Sequence, residues 1–252
     1  MREDAADVER APLIEVFASI QGEGRFVGVP MAFARVAKCP IRCTYCDSPH
    51  TYAAPRTCAV RGPGGVRMVA NPMEPAEAAE LVAEVAWGPI RVVSVTGGEP
   101  LLYPAFVRDV AKAWGGPVHL ETAALDPAAM QICAPALSHL SADYKLPATL
   151  RGGADARAQH RECIAIAVEA GLTVDVKLVL TPDVEGTAVM QALADLEPWR
   201  RAVLLVLQPA TPFGAVAGRP EPAAVKAWAH AAALAGFDVR VLPQVHPLLG
   251  VE

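Results

Sequence analysis

Apolar residues recur along the chain with two spacings, and the two spacings alternate. Short, nearly continuous runs such as LIEVFAS (13–19), MAFARVA (31–37) and LTVDVKLVL (172–180) are typical of buried strands. Between them, apolar residues return every three or four positions, as in 75–87, which predicts helices. Further strands are predicted at 91–96, 118–123, 137–142, 202–208 and 237–243, and further helices at 105–114, 126–133, 156–170, 185–196 and 223–235.

Repeated strand–helix units predict an α/β fold with a parallel sheet and helices on its outer face. Because the units are too few to close a barrel of eight strands, we expect a partial, open parallel β/α barrel with its ligands at the carboxyl ends of the strands. A single domain over residues 1–252 is expected, since no linker or repeat divides the chain. The segment 53–73 is rich in proline and glycine and is predicted as an irregular loop, in which a short hairpin around 62–65 is an alternative.

Composition narrows the functional classes. Apolar residues make up 53% of the 252 positions and charged residues 19%, which favours a large core over disorder. The net charge is −5 and basic runs are short, so no nucleic-acid partner is expected. The start MREDAADVER lacks the apolar part of a secretory signal and no run reaches about 18 apolar residues, so neither export nor a membrane span is expected. Cysteines at 58, 133 and 163 are scattered, which argues against disulfides and favours the cytoplasm.

The other three cysteines are concentrated in the run KCPIRCTYCDS. Cys39, Cys43 and Cys46 are separated by three and then two residues. Three thiolates on one short loop can bind three irons of a four-iron cluster and leave the fourth iron open to a small molecule. Tyr45 precedes the third cysteine, where an aromatic ring can flank an adenine. Two alternatives remain, namely a zinc site completed by His50 and ordinary buried thiols.

Two glycine-rich motifs lie beside predicted strands. GGEP (97–100) ends the strand at 91–96, where adjacent glycines let backbone N–H and C=O groups approach the ends of a methionine moiety. Alone, it predicts only a turn, in which Glu99 is structural or grips a ligand. QGEG (21–24) would bring Gln21 and Glu23 to a planar polar substrate, unless it is a hairpin with exposed side chains. Arg35 lies in an otherwise apolar strand, so we expect it to point inward and be paired.

QGEG, the cysteine loop followed by Asp47 and Ser48, GGEP and the tail PQVHPLLG together resemble the 7-carboxy-7-deazaguanine synthase family. These are radical S-adenosylmethionine enzymes of the 7-deazapurine (queuosine) pathway. The resemblance implies conversion of 6-carboxy-5,6,7,8-tetrahydropterin to 7-carboxy-7-deazaguanine with release of ammonia. It also implies a [4Fe–4S] cluster, S-adenosylmethionine and Mg²⁺ as cofactors, a reducing electron donor such as flavodoxin or ferredoxin, and a homodimer. A glycyl-radical activating enzyme and a non-catalytic zinc-binding module are the alternatives.

The resemblance assigns roles to individual positions. The cluster ligands are Cys39, Cys43 and Cys46, and Ser48 would bind Mg²⁺. The substrate contacts would be Ile20, Gln21, Gly22, Arg35, Thr96 and the terminal carboxylate of Glu252. Glu23 and Glu121 would act near the reacting centre. The cosubstrate contacts would be Tyr45, Cys46, Asp47, Gly98, Ser141, Asp143, Lys145 and Gln208. The chain departs from the family pattern at 123–124, where two alanines replace Asn-Gly or Gln-Gly, and at 141–145, which lacks the usual Ser-Pro-Lys.

Overall fold

A ten-stranded sheet forms the centre of the computed structural model, which describes residues 8–88 and 90–251. The strands are β1 (Leu13–Ile20), β2 (Pro30–Val36), β3 (Thr57–Gly62), β4 (Gly65–Ala70), β5 (Val93–Gly97), β6 (Val118–Thr122), β7 (His139–Asp143), β8 (Thr173–Leu180), β9 (Val203–Pro209) and β10 (Asp238–Val241). The helices are α1 (Pro75–Val85), α2 (Pro104–Trp114), α3 (Pro127–Cys133), α4 (Arg157–Glu169), α5 (Gly186–Leu196), α6 (Pro222–Leu234) and the short α7 (His246–Leu249).

The order of the strands is β10-β9-β8-β7-β6-β5-β2-β1-β3-β4. The seven neighbouring strands from β10 to β2 in this order pair in parallel. The two edge strands, β10 and β4, lie at opposite ends of the sheet. The predicted open, parallel β/α architecture is therefore confirmed. The sheet is not parallel throughout, because β1 runs antiparallel to β2. The link between β1 and β2 has about nine residues, which is too short for the crossover that a parallel pair needs.

The prediction for residues 53–73 is wrong in its main point. This segment forms the antiparallel hairpin β3–β4, and β3 extends the sheet alongside β1, where Val60 pairs with Val16. Its turn joins Gly62 to Gly65, the place where a hairpin was the alternative. Cys58 and Val60 face the core while their neighbours do not, so the period of two was present in the sequence. The prolines and glycines that suggested a loop lie outside the strand interiors or at the turn.

The sheet has an apolar outer face and a polar inner face. Helix α1 shows how the outer face is covered, since one of its faces buries Ala78, Leu81, Val82 and Val85 against the sheet. The alternate residues of β5 to β9 point inward, and many are polar: Ser94, Thr96, His119, Glu121, Ser141, Asp175, Lys177 and Gln208. This inner face leads to the site described below. Within residues 8–88 and 90–251, no helix is long and apolar enough to cross a membrane.

Candidate active site

One cavity lies at the carboxyl ends of the parallel strands, and it collects most of the predicted site residues. Among the predicted substrate-side positions, it is lined by Ile20, Gln21, Gly22, Glu23, Arg35, Thr96 and Glu121. Among the cosubstrate and metal positions, it is lined by Cys39, Cys43, Tyr45, Cys46, Asp47, Ser48, Gly98, Asp143, Lys145 and Gln208. These segments are far apart in sequence, and the open barrel brings them to one mouth.

One predicted contact, Ser141, is not found there. Ser141 does not line the cavity, because its hydroxyl donates to Asp175, 2.8 Å away, one layer deeper in the barrel. The family's spacing of serine and lysine is altered in this chain, and the residues that reach the cavity here are Asp143, at the end of β7, and Lys145, just after it. Glu252 lies outside the described residues.

The cysteine loop lies between β2 and a single helical turn at Pro49–Tyr52. Backbone hydrogen bonds fix it at both ends: Lys38 N–H donates to Thr51 C=O over 2.6 Å, and Thr44 N–H donates to Thr149 C=O over 2.9 Å. All three thiols are half-buried and line the same cavity. His50, the fourth ligand that a zinc site would need, is exposed and does not line the cavity.

Desolvation is the main electrostatic feature of two of these thiols, Cys39 and Cys43. Burial raises the pKa of Cys39 to about 11, and burial also raises the pKa of Cys43 although the Lys145 ammonium opposes it. In the protein alone both thiols are therefore protonated at neutral pH. Iron binds the thiolate and displaces the proton, so three free thiols that line one cavity fit the role of cluster ligands.

The GGEP motif supports this loop directly. Gly98 N–H donates to Val36 C=O and Glu99 N–H donates to Lys38 C=O, each over 2.9 Å. A Cβ on Gly98 would collide with the carbonyl oxygen of Lys38, so glycine is needed for this close approach. The Glu99 carboxylate is buried and accepts hydrogen bonds from Leu101 N–H, Ala123 N–H and the Thr122 hydroxyl. Glu99 is thus structural, because it ties the end of β5 to the end of β6.

A buried lysine in β8 joins the two predicted carboxylates. The Lys177 ammonium lies 2.5 Å from Glu23 Oε2 and also contacts Glu121 Oε1, while the Thr96 hydroxyl donates to Glu121 Oε2 over 3.2 Å. Burial alone would raise the pKa of Glu23, but attraction to Lys177 and hydrogen bonds from Lys177, Gln244 and Gln208 lower it to about 2. The two carboxylates in turn raise the pKa of Lys177, against the effect of burial.

Sequence reasoning missed Lys177, although a signal was present. Asp175 and Lys177 are the charged residues of an otherwise apolar run and lie two positions apart, so they share one face of β8. Like Arg35, they are charged residues in an apolar strand, which predicts that they point inward and are paired. Arg35 is paired as predicted, since its Nε donates to Glu15 Oε1 over 2.9 Å, and it lies 5.4 Å from the centre of the Phe17 ring.

A second buried lysine, Lys145, lies just after the end of the neighbouring strand β7, beside the cysteine loop. Lys145 Nζ lies 2.5 Å from Asp143 Oδ2 and 2.7 Å from the Tyr45 hydroxyl, which itself lies 3.0 Å from the Asp143 carboxylate. Burial alone would lower the pKa of Lys145, but Asp143 and the Cys43 sulfur raise it. The predicted trio of Tyr45, Asp143 and Lys145 is therefore one hydrogen-bonded group.

The tail after β10 crosses the mouth of the cavity. Gln244 Nε2 donates to Glu23 Oε1 over 2.7 Å and to Asp47 Oδ2 over 2.9 Å, so it links the QGEG loop to the cysteine loop. Val245 N–H donates to Gly22 C=O over 2.9 Å, and His246 packs so closely on Gly22 that a Cβ there would collide with its ring. The sequence did not predict a role for Gln244, because its segment PQVHPLLG was used only as one of the motifs of the family resemblance.

Two further details bear on ligand binding. Gln208 lines the cavity, and its buried side-chain oxygen has no hydrogen-bond partner. Ala124, where the family pattern has glycine, has a φ of 52°, in the left-handed region that favours glycine. The departure from the pattern therefore leaves the backbone conformation in place at some cost in strain.

Comparison with known proteins gives the class first. The model of the Radical SAM superfamily matches residues 35–183, so fold and cysteine loop together define a radical S-adenosylmethionine enzyme. Two solved structures share this fold. QueE from Escherichia coli has a TM-score of 0.63 at 19% identity, covering 96% of this chain and 99% of that one. A radical SAM methyltransferase from Sphaerobacter thermophilus has a TM-score of 0.51 at 16% identity, covering 84% and 66%.

Curated relatives then give the family. The chain is 31% identical to the 7-carboxy-7-deazaguanine synthase of Methanothermobacter thermautotrophicus, over 96% of this chain and 98% of that protein. It is 33% identical to the synthase of Methanopyrus kandleri, over 93% and 92%. The chain belongs to the 7-carboxy-7-deazaguanine synthase family. The resemblance drawn from the motifs is thereby confirmed, and neither the zinc-binding module nor the activating enzyme is favoured.

Proposed function

We propose that the protein converts 6-carboxy-5,6,7,8-tetrahydropterin to 7-carboxy-7-deazaguanine with release of ammonia. The observation that carries this proposal is one cavity lined both by the three thiols of the cysteine loop and by the group Glu23–Lys177–Glu121. When bound by Cys39, Cys43 and Cys46, a [4Fe–4S] cluster supplies reductive cleavage of S-adenosylmethionine. The remaining task of the chain is to bind and orient the two organic molecules.

On the substrate side, the charges favour a pterin. The carboxylates of Glu23 and Glu121 are hydrogen-bond acceptors, and the edge of a pterin ring presents N–H donors. Because the pKa of Glu23 is about 2, it stays ionised and accepts hydrogen bonds rather than supplying a proton. Lys177, with its raised pKa, is a poor proton donor and serves to hold the charge of both carboxylates. Glu121 is then the candidate for moving a proton, and Arg35 would face the substrate carboxylate.

On the cosubstrate side, we assign S-adenosylmethionine to the group of Tyr45, Asp143 and Lys145. The Lys145 ammonium suits a carboxylate, and the Tyr45 ring can flank an adenine. The unpartnered Gln208 oxygen adds an acceptor for an amino or hydroxyl group. The glycines of GGEP leave the strand end accessible to the methionine moiety.

We assign a Mg²⁺ ion to Ser48. Its hydroxyl lies 3.0 Å from Asp47 Oδ1 and both residues line the cavity. Mg²⁺ commonly keeps several water and substrate ligands, so a site with few protein ligands fits it. Ser48→Ala should keep the brown colour of the cluster and weaken the Mg²⁺ dependence of turnover. A variant with the same Mg²⁺ dependence as the parent would contradict the assignment.

The decisive experiment for the function is an anaerobic assay of reconstituted protein with dithionite, S-adenosylmethionine, Mg²⁺ and the carboxytetrahydropterin. We expect 7-carboxy-7-deazaguanine and ammonia in equal amounts. Cys43→Ala is the matched control and should form neither product nor 5′-deoxyadenosine. Cosubstrate cleavage without any pterin conversion would contradict the substrate assignment. A protein electron donor and a homodimer are further parts of the proposal.

A further inference from the structure

A histidine of helix α4 holds the main chain at Lys145 from outside the cavity. His160 is fully buried, and its Nε2 accepts a hydrogen bond from Lys145 N–H over 2.9 Å. Because His160 does not line the cavity, it is not among the residues that would touch a ligand. The proposed function assigns Lys145 to the cosubstrate, so His160 contacts a ligand-binding residue through its backbone alone.

This hydrogen bond is made just beyond the end of a strand. β7 ends at Asp143, and Tyr144 N–H still donates to Lys177 C=O in the neighbouring strand, over 2.9 Å. Lys145 is buried and follows this contact, so its N–H needs a partner from another element. The chain also departs here from the family's Ser-Pro-Lys, so the residue before the lysine is Tyr144 rather than proline. His160 provides the partner that the sheet does not.

Aromatic stacking fixes the orientation of the His160 ring. The Tyr144 ring stacks on it, with ring centres 4.5 Å apart and ring planes 22° from parallel. The Tyr144 hydroxyl donates to Asp195 Oδ2 of α5 over 2.7 Å, which fixes the Tyr144 ring in turn. On another side, the His160 ring lies beside the Ala124 backbone, just after β6. The ring is therefore held with Nε2 directed at Lys145 N–H.

The His160 ring also has the protonation state that this contact requires. A backbone N–H can only donate, so Nε2 must be the nitrogen without a proton, and the ring is neutral. Burial and the nearby Lys145 ammonium lower the pKa of His160 to about 4, so the ring stays neutral at pH 7. A protonated ring would have two N–H donors and no acceptor.

We propose that His160 is a positioning residue for the cosubstrate: it fixes the main chain from which the Lys145 ammonium reaches S-adenosylmethionine. The proposal rests on the proposed function, in the part that assigns Lys145 to the cosubstrate. Asp143 and Tyr45 direct the Lys145 side chain, whereas His160 sets the place of its backbone. Loss of the His160 acceptor should therefore affect the cosubstrate and spare the pterin, which is assigned to the group around Lys177.

The test compares two substitutions that keep different properties of the histidine. His160→Phe keeps a ring that can stack on Tyr144 but has no acceptor. His160→Gln loses the ring but can place an amide oxygen where Nε2 lies. Tyr144→Phe is the matched structural control, because it removes the buried hydrogen bond to Asp195 and keeps the stacked ring. The measurements on each reconstituted protein are kcat, the KM for both substrates, binding of S-adenosylhomocysteine by calorimetry, and urea unfolding.

We expect His160→Phe to raise the KM for S-adenosylmethionine about fivefold, the factor that corresponds to one hydrogen bond. Binding of S-adenosylhomocysteine should weaken by the same factor, while the KM for the pterin should match that of the parent. His160→Gln should recover most of the cosubstrate affinity. Tyr144→Phe should keep the parent's cosubstrate affinity although it unfolds at a lower urea concentration.

Two results would overturn the proposal. One is a His160→Phe protein with the parent's affinity for both cosubstrate molecules. The other is a Tyr144→Phe protein that loses as much affinity as His160→Phe, since loss of packing would then explain both. If His160→Phe does not fold, His160→Asn replaces it, because its shorter amide does not reach as far as Nε2; it should show the same fivefold loss, and the parent's affinity would again overturn the proposal.

Failure of the proposed function can be told apart from failure of this inference. A parent protein that forms no product from the pterin would contradict the proposed function. Binding of S-adenosylhomocysteine needs no pterin, so the comparison of His160→Phe, His160→Gln and Tyr144→Phe would still decide the role of His160.

Discussion

Of the two buried lysines of the cavity, Lys177 lies in β8 and Lys145 lies just after the end of the adjacent β7, and their partners differ in charge. Lys145 is bonded to one carboxylate, Asp143, and to a phenol, whereas Lys177 lies between two carboxylates, Glu23 and Glu121. The first group is neutral overall and adjoins the cysteine loop. The second has a net charge of −1 and adjoins the QGEG loop. The cavity is thus divided into a side suited to a ligand carboxylate and a side suited to N–H donors.

The largest effect is expected from Lys177→Met, which removes the cation from between the two carboxylates. Two buried negative charges would then face each other without compensation, and the free energy of unfolding should fall by about 3–5 kcal/mol. Product formation should fall by roughly a thousandfold, because a preorganised charge is lost, while 5′-deoxyadenosine still forms because the Lys145 group is intact. Urea unfolding and the ratio of the two products measure this. Lys177→Arg keeps the charge and should recover most of the stability; equal loss of both products would contradict the division of the cavity.

Lys145→Met should have a smaller effect on stability, about 2–3 kcal/mol, because the Tyr45 hydroxyl remains as a donor to Asp143. The effect of Lys145→Met on activity should concern the cosubstrate side of the cavity. The KM for S-adenosylmethionine should rise at least about tenfold, and 5′-deoxyadenosine and product should fall together. Tyr45→Phe is the control that removes the hydroxyl and keeps the lysine. If Lys145→Met spared cosubstrate cleavage, Lys145 would have no role on the cosubstrate side.

Most of the strands and two of the site motifs could be predicted from the sequence, and the reason for the strands is periodicity. Each predicted strand from 13–19 to 237–243 has a counterpart in the structure, because buried parallel strands are continuous apolar runs bounded by helices. The cysteine loop and GGEP are local motifs, so they were found without any knowledge of the fold. The hairpin β3–β4 was predicted only as an alternative to a loop. Along β4 the apolar Val66 and Met68 are exposed, so this strand does not show the alternation of a half-buried strand.

What could not be predicted depends on long-range contact. The hydrogen bonds of Gln244 to Glu23 and Asp47 join residues about two hundred positions apart, and no spacing in the sequence indicates them. Ser141 was placed in the site by its position in a family pattern, but it donates to Asp175 instead. Lys177 is an intermediate case, since the sequence indicated that its side chain points inward but did not indicate its partners.

The layer beneath Lys177 gives a pH-dependent prediction. Burial raises the pKa of Asp175 to about 6 from 3.8, despite the Ser141 hydrogen bond and Lys177. A carboxyl with a raised folded pKa loses stability as pH rises from about 4 through 6, since ionisation is costlier in the folded state. Asp175→Asn removes this cost and should stabilise the protein by about 2 kcal/mol more at pH 8 than at pH 4. Glu23 has the opposite sign, because its lowered pKa adds stability above about 4.5 that is lost toward pH 2.

Urea unfolding at pH 4, 6 and 8 measures the effect of Asp175→Asn. Ser141→Ala is the control, because it removes the hydrogen bond and keeps the carboxylate. We expect it to destabilise the protein at pH 8, where Asp175→Asn stabilises it. An Asp175→Asn protein whose stability relative to the parent is the same at pH 4 and pH 8 would show that this carboxyl titrates alike in both states.

The smallest effect is expected from Gln244→Ala, which breaks the link between the QGEG and cysteine loops. Hydrogen bonds to charged groups contribute about 1.5–3 kcal/mol each, but the exposed Asp47 partner lowers the loss to about 1–2 kcal/mol in total. Since Glu23 retains Lys177, it stays ionised and only its orientation suffers. The KM for the pterin should therefore rise about tenfold with little change in kcat. Gln244→Glu, which places a third carboxylate beside Glu23 and Asp47, should be clearly worse than Gln244→Ala. If the two variants were equal, the amide would not act through these two carboxylates.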